Sequence, residues 1–183
     1  DFTSEIIFED DKVIVITVPW KHRVYTNGFV FKEKLGERKI NIEAIKDNNI
    51  DMCYLQKIKQ GSDIENNDGK LILNKQITFD PEKPKSYAFC SDTQYYPACI
   101  STIKNVTVLY HESSFLDEHE YLCLKTWHST ARQAALIAKE ATVDKLILGH
   151  YSTRYPSIDK FKAEANQVFD NVELAEDGKK FII

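Results

Sequence analysis

The sequence predicts an α/β (α+β) chain whose second half forms a largely parallel sheet. Three observations lead there. After Pro84, short apolar runs alternate with helical sequence; one of those helices carries its own cap; and roughly the first thirty residues read as a hairpin and a further strand. The chain of 183 residues is 43% hydrophobic and 28% charged, with 6 Gly and 5 Pro. That composition suits one partial or whole domain spanning 1–183, a length that buries roughly 70% of its unfolded surface.

Ile6–Glu9 and Lys12–Val18 are β-rich runs joined by Asp10-Asp11, the pattern of a hairpin. Asn27-Gly28 signals a turn, after which Phe29-Val30-Phe31 continues as a strand. Ile40 to Gln60 is lysine-rich and weakly helical. Gly61 to Pro84 is the least regular stretch, with Asn66-Asn67-Asp68-Gly69 and two prolines marking turns. Tyr87–Cys90, Val106–Tyr110 and Leu146–Leu148 are apolar strands. Between the last two, Ser129 to Ala141 reads as a helix. Thr130 and Gln133 form a capping box, and Ala131, Ala134, Ala135 and Ala138 recur at i, i+3, i+4 and i+7. Pro156 opens another helix, expected to reach Phe169. Val172 to Ile183 reads as a closing hairpin around Asp177-Gly178.

No apolar run approaches the roughly 20 residues of a membrane span, and nothing at the start resembles a signal peptide. Cys53, Cys90, Cys99 and Cys123 show no C-x-x-C spacing and read as reduced thiols of a cytoplasmic protein. The chain begins Asp1-Phe2-Thr3 without a Met and enters strand-like sequence at once, so it is expected to be a piece of a longer protein.

A net charge of -4 argues against unselective coating of nucleic acid. The charge is uneven: Trp20 to Gln60 holds nine Lys or Arg against five acids, and the remainder is strongly acidic. On charge alone, a solvated mixed surface explains this stretch as well as a nucleic-acid contact does.

In parallel sheets the reactive groups lie just beyond the carboxyl ends of the strands. Here Tyr87–Cys90 runs into Ser91-Asp92-Thr93, Val106–Tyr110 into His111-Glu112, and Leu146–Leu148 into Gly149-His150, while His128 stands directly before the capped helix. Two readings stay open on the residues. Each group taken singly is a turn former or a hydrogen-bonded surface residue; taken together they converge on one rim as a metal or acid–base site. His111 and His119 are expected to be structural.

Several strings resemble one family. Cys90-Ser91-Asp92-Thr93 is similar to the S-G-D-T motif of ribonuclease Z, with Ser91 where Gly is usual. Tyr110-His111-Glu112-Ser113-Ser114-Phe115 resembles its H-E-A-T-F. His128-Ser129-Thr130-Ala131 with Ala134 and Ala135 resembles H-S-T-A-x-x-A-A, and Leu146 to Tyr155 resembles L-I-L-T-H-F-S-x-R-Y. Upstream, Pro19-x-x-His22-x-Val24 followed by Gly28-Phe29 is similar to P-L-x-H-x-V-P-x-x-G-Y. The resemblance implies the C-terminal half of a metallo-β-lactamase αββα sandwich and a zinc-dependent endonuclease that trims the 3′ ends of tRNA precursors.

Position by position, the resemblance implies that His22 and His150 each ligate one of two zinc ions, that Asp92 bridges them, and that Glu112 and His128 pair beside them. His128 would be the proton donor, and Arg154 would hold phosphate. The family's H-x-H-x-D-H string does not occur here, so the ligand set is expected to be incomplete and the isolated chain inactive. A half sandwich leaves one sheet face apolar, so the expected partners are the upstream half of the fold, a second copy as homodimer, and precursor tRNA. Residues 32–60 fall where the family inserts its tRNA-binding arm. Met52 to Gly61 keeps an L-x-x-L-K-x-G-like run without the preceding Gly-Pro, which suggests a reduced arm. The alternatives are another hydrolase of the same fold, arylsulfatase-like or phosphodiesterase, and a non-catalytic interaction module.

Overall fold

The computed structural model describes residues 3–183; Asp1 and Phe2, where the fragment reading began, lie outside the described residues. The described residues divide into two compact units, one of residues 3–33 with 85–183 and one of residues 34–84. The segment 32–60 expected as an arm falls largely in the second, which runs on to Pro84.

The first unit opens with the predicted hairpin, β1 (Ile6–Glu9) against β2 (Val13–Trp20), where the Asp10 carboxylate accepts from the Lys12 and Val13 N–H groups to hold the turn. Strand β3 (Thr26–Glu33) pairs antiparallel with β2. Here the structure corrects one expectation. Asn27-Gly28 is not a turn but the start of β3, and the chain reverses at residues 21–25 instead. Gly28 is needed there for space, because a Cβ would meet the Trp20 indole at 2.1 Å and the Phe89 carbonyl at 2.3 Å.

The second unit holds β4 (Lys39–Ile40), α1 (Ile42–Asp47), α2 (Leu55–Lys59), β5 (Ile64–Glu65), β6 (Leu71–Ile72), α3 (Asn74–Ile77) and β7 (Thr78–Phe79). Its core is almost entirely isoleucine: Ile45, Ile50, Ile58, Ile64, Ile72 and Ile77. Asn41 caps α1 by accepting from Ala44 N–H, and buried Asn74 ties Ile58 and Ser62 carbonyls together. Charge in this unit cancels, nine Lys or Arg against nine Asp or Glu. Arg38 pairs with Asp80, Lys39 with Glu82 and Lys59 with Glu37.

The chain then returns to the first unit with β8 (Ser86–Cys90), α4 (Ile100–Ile103), β9 (Val108–Glu112), α5 (Glu120–Thr126), α6 (Ala131–Glu140), β10 (Lys145–Gly149), α7 (Asp159–Ala165) and β11 (Val172–Leu174). The main sheet runs β1-β2-β3-β8-β9-β10-β11. From β8 to β11 the pairings are parallel, as strands separated by helices require. The predicted capping box is present: Thr130 Oγ1 accepts from Gln133 N–H and the Gln133 side chain accepts from Thr130 N–H. The small alanine face of α6 lets it lie close on β9 and β10, with Ala131, Ala134, Ala135 and Ala138 fully buried.

Two further expectations are corrected. Pro156 does not begin a helix; α7 starts at Asp159 and ends at Ala165. Val172 to Ile183 is not a hairpin. Leu146, Ile147 and Leu148 pair parallel with Val172, Glu173 and Leu174, and the turn at Asp177-Gly178 leads into non-strand residues. Burial explains this, because Val172 and Leu174 are drawn into the shared core beside Leu146 and Leu148.

The sheet's two faces differ. One is covered by helices and buries Val30, Ala88, Leu109, Leu146 and Leu148. The other carries an aromatic ladder, with Phe31 stacked on Tyr87 at 6.2 Å and Phe89 on Tyr110 at 4.9 Å, all only partly buried or exposed. No helix among the described residues is long and apolar enough to cross a membrane.

Candidate functional site

Each group predicted to reach the sheet's carboxyl rim stands there. Asp92 follows β8, Glu112 closes β9, His150 follows β10, and His128 stands two residues before α6's N-cap. Strand β9 is shifted two residues from the reading Val106–Tyr110, so His111 and Glu112 belong to the strand rather than to the loop beyond it. Ligand atoms of Asp92, His128 and His150 all lie within 4.8 Å of one another, and His150 Nε2 is 3.2 Å from Asp92 Oδ1.

Asp92 and His150 also share an unusual backbone. Their φ angles are +53° and +58°, in the left-handed region that disfavours side chains. Asn49, Asn105 and Thr142 have similar angles, but each sits where a helix has just ended, which is the ordinary place for them. Asp92 and His150 come directly off strands. Such a conformation costs on the order of 1–3 kcal/mol and persists where surroundings over-determine it, commonly at sites that bind or react.

What over-determines the rim is Glu112. Its side chain is fully buried, and its two oxygens accept five hydrogen bonds: from Thr93 N–H, Ser114 N–H, Ser114 Oγ, Ser129 N–H and His128 Nδ1, the last at 2.6 Å. One carboxylate thereby joins the loops after β8, after β9 and before α6. Burial by itself pushes this carboxyl up. The hydrogen bond and charge of His128, with the Ser129 N–H, outweigh it and hold Glu112 below its ordinary value. His128 moves the other way. The bond to Glu112 raises it, against partial burial and the nearby Arg23 guanidinium, which oppose its charge.

The histidines are oriented by one rule. Each donates from Nδ1 to a fixed acceptor, which leaves Nε2 as the second ring atom with which to bind or exchange a proton. His128 donates to Glu112, and His22 donates to the Trp127 carbonyl at 2.8 Å. His150 Nδ1 is 2.9 Å from Ser114 Oγ; because that hydroxyl donates its single proton to Glu112, it accepts from His150. The rings stand in a row, His22 to His128 at 5.1 Å and His128 to His150 at 5.1 Å. His22 thus reaches the site beside His128, outside the tight Asp92–His128–His150 group. Arg154 lies on the exposed turn four residues past His150, its N–H donating to Ser152 Oγ.

His111 and His119 are held structurally, as expected. His111 is buried and donates to the Glu112 carbonyl at 2.7 Å, and His119 bonds the Tyr155 hydroxyl. Sequence reasoning missed the orienting roles of Ser114 and Trp127. For Ser114 the signal was its place in the H-E-A-T-F-like string; Trp127 acts through a backbone carbonyl, which any residue has.

Imidazole nitrogens and a carboxylate are a donor set that zinc accepts, and the fixed Nδ1 contacts are the outer support such ligands need. The residues therefore fit one side of a metal site.

No family model matches the chain. It is 40% identical to a ribonuclease Z of Cytophaga hutchinsonii over 98% of its own length, and 38% identical to one of Parabacteroides distasonis over 99%. It spans 58% and 60% of those relatives. Among solved structures it resembles the metallo-beta-lactamase fold protein YhfI of Bacillus subtilis, with TM-score 0.60 and 17% identity over 94% of the chain and 50% of that one. It also resembles the short form of human tRNase Z, with TM-score 0.53 and 19% identity over 95% of the chain and 44% of that one. The chain has part of the metallo-β-lactamase fold.

Proposed function

We propose, on the premise that the chain is homologous to part of ribonuclease Z, that the protein carrying it is a metal-dependent endoribonuclease hydrolysing a phosphodiester at the 3′ end of tRNA precursors. The observation that carries this reading is the meeting of Asp92, His128 and His150 over the buried Glu112. His22, Asp92 and His150 would hold zinc together with ligands from the upstream half of the fold. Bound there, zinc supplies Lewis acidity, polarising the phosphate and easing deprotonation of a water. His128 is the proton donor: its Nδ1 is fixed on Glu112, and its raised affinity for a proton keeps Nε2–H available. As water attacks phosphorus, losing a proton to a base that the upstream half would supply, the bond to the 3′ oxygen breaks and the proton on His128 Nε2 passes to the leaving oxygen. Arg154 would hold a neighbouring phosphate.

Two histidines and one aspartate cannot close two metal sites, so we propose that the chain is inactive without the upstream half. That half would pack on the aromatic face of Phe31, Tyr87, Phe89 and Tyr110; a chain made alone would cover it with a second copy. A reducing cytoplasm suits its four unpaired cysteines. Residues 32–60 stand as a reduced tRNA arm, although the neutral charge of 34–84 lends it little electrostatic support.

In the full-length protein, Asp92→Ala or His150→Ala should abolish cleavage of a precursor tRNA while circular dichroism stays unchanged; full activity in either variant refutes the ligand assignment. The isolated chain should retain less than one tightly held zinc, and finding two overturns its incompleteness.

A further inference from the structure

Beside the row of histidines lies a cavity of about 400 Å3 lined by Trp20, Lys21, His22, Tyr96 and Trp127. Trp20 is only 2% exposed and belongs to the core. Tyr96 and Trp127 line it as half-buried residues, and Lys21 is exposed. Two aromatic side chains lining a cavity together with a cation, next to a site proposed to act on phosphate, are the parts with which proteins hold single-stranded nucleic acid: bases stack on the rings and the backbone meets the positive charge.

Trp127 stands out by its backbone. It ends α5 at φ +64°, in the same left-handed conformation as Asn49, Asn105 and Thr142 at the other helix ends. Those three are small or polar. A tryptophan there is the bulky exception, at a position where glycine is the relaxed choice. Its carbonyl orients His22, a task that glycine's carbonyl performs equally, so the carbonyl does not explain the indole.

We infer that the Trp127–Tyr96–Lys21 cavity is a base-stacking subsite for the nucleotide adjoining the cleaved bond, with Lys21 against its phosphate. This rests on the endoribonuclease reading. His22 is shared between the cavity and the rim, which sets the stacked base within one nucleotide of His128.

The test compares two RNAs on the full-length protein, with metal chelated so that nothing is cleaved. One is a precursor tRNA; the other is the same RNA with abasic nucleotides flanking the cleavage position. By fluorescence anisotropy, Trp127→Ala and Trp127→Gly should weaken binding of the intact RNA about ten-fold, within the roughly 5- to 150-fold that stacking of one base accounts for. Trp127→Phe should recover most of the loss, and wild type and variants should bind the abasic RNA alike. Trp127→Gly suits the backbone, so its effect is not one of misfolding. An equal loss on both RNAs, or no loss on either, overturns the subsite. If Trp127→Ala binds and cleaves precursor as wild type does, the subsite falls and the endoribonuclease reading stands. If wild type neither binds nor cleaves precursor, both fall.

Discussion

The two ends of the parallel strands solve the same electrostatic problem differently. At the carboxyl end, Glu112 and His128 form an ion pair with the carboxylate fully buried and every lone pair engaged. Towards the other end, Lys145 on β10 meets Glu173 on β11 at 2.9 Å, with about a quarter and a third of the two side chains exposed, and Lys179 nearby at 3.7 Å. The lower pair is an ordinary solvated contact. The upper one sits in a place where removing either partner strands a charge, and it adjoins two strained residues. Cost is concentrated where the chemistry is proposed to occur.

The sharpest way to break this contrast is to truncate the carboxylates. Glu112→Ala leaves His128 and four other donors without an acceptor and should cost about 3–5 kcal/mol, the range for breaking a buried pair. The measurement is the denaturation midpoint at neutral pH; a loss comparable to that of a surface variant would erase the distinction.

Next in size is the strain. Asp92→Gly replaces a side chain held at φ +53° with the residue that prefers that region. Metal-free stability should rise by about 1 kcal/mol while precursor cleavage disappears, a trade expected when backbone strain is kept for function. A destabilised Asp92→Gly would mean that the conformation is not strained.

Smallest is Glu173→Ala, which should cost less than about 1 kcal/mol, since exposed pairs contribute little. The pairs also differ in their pH signatures. The hydrogen bond from Lys145 holds Glu173 below its ordinary value, so its contribution is present above that value and fades only as the solution is acidified through the lowered one. Glu112 behaves likewise on the acid side, but its partner adds a second limit. His128 is raised, so stability from its charged form is complete below its ordinary value and is lost as pH climbs through the raised one. A titration of metal-free stability should therefore decline on the alkaline side in wild type and in Glu173→Ala, and lose that decline in Glu112→Ala.

Much of this was legible in sequence, for identifiable reasons. Alanines at i, i+3, i+4 and i+7 behind a Thr–Gln box announce α6, because periodicity and cap are both local. Strand ends placed Asp92, Glu112 and His150 on one rim, because parallel topology determines where those ends point, and His128 joins them from the loop before α6. The failures were tertiary. Asn27-Gly28 has a turn's chemistry, yet its glycine serves the indole of Trp20. Val172–Leu174 pairs with a distant strand rather than with its own tail. Trp127's service to His22 is a carbonyl contact across 105 residues that no side-chain pattern encodes.

Because a single carboxylate ties three loops together, none of them can drift alone. A change of backbone beside Thr93, Ser114 or Ser129 is felt by the other two at once. Variation in what the protein accepts must then come from outside this knot, in side chains such as those at positions 21, 96 and 127, which can be exchanged without loosening it.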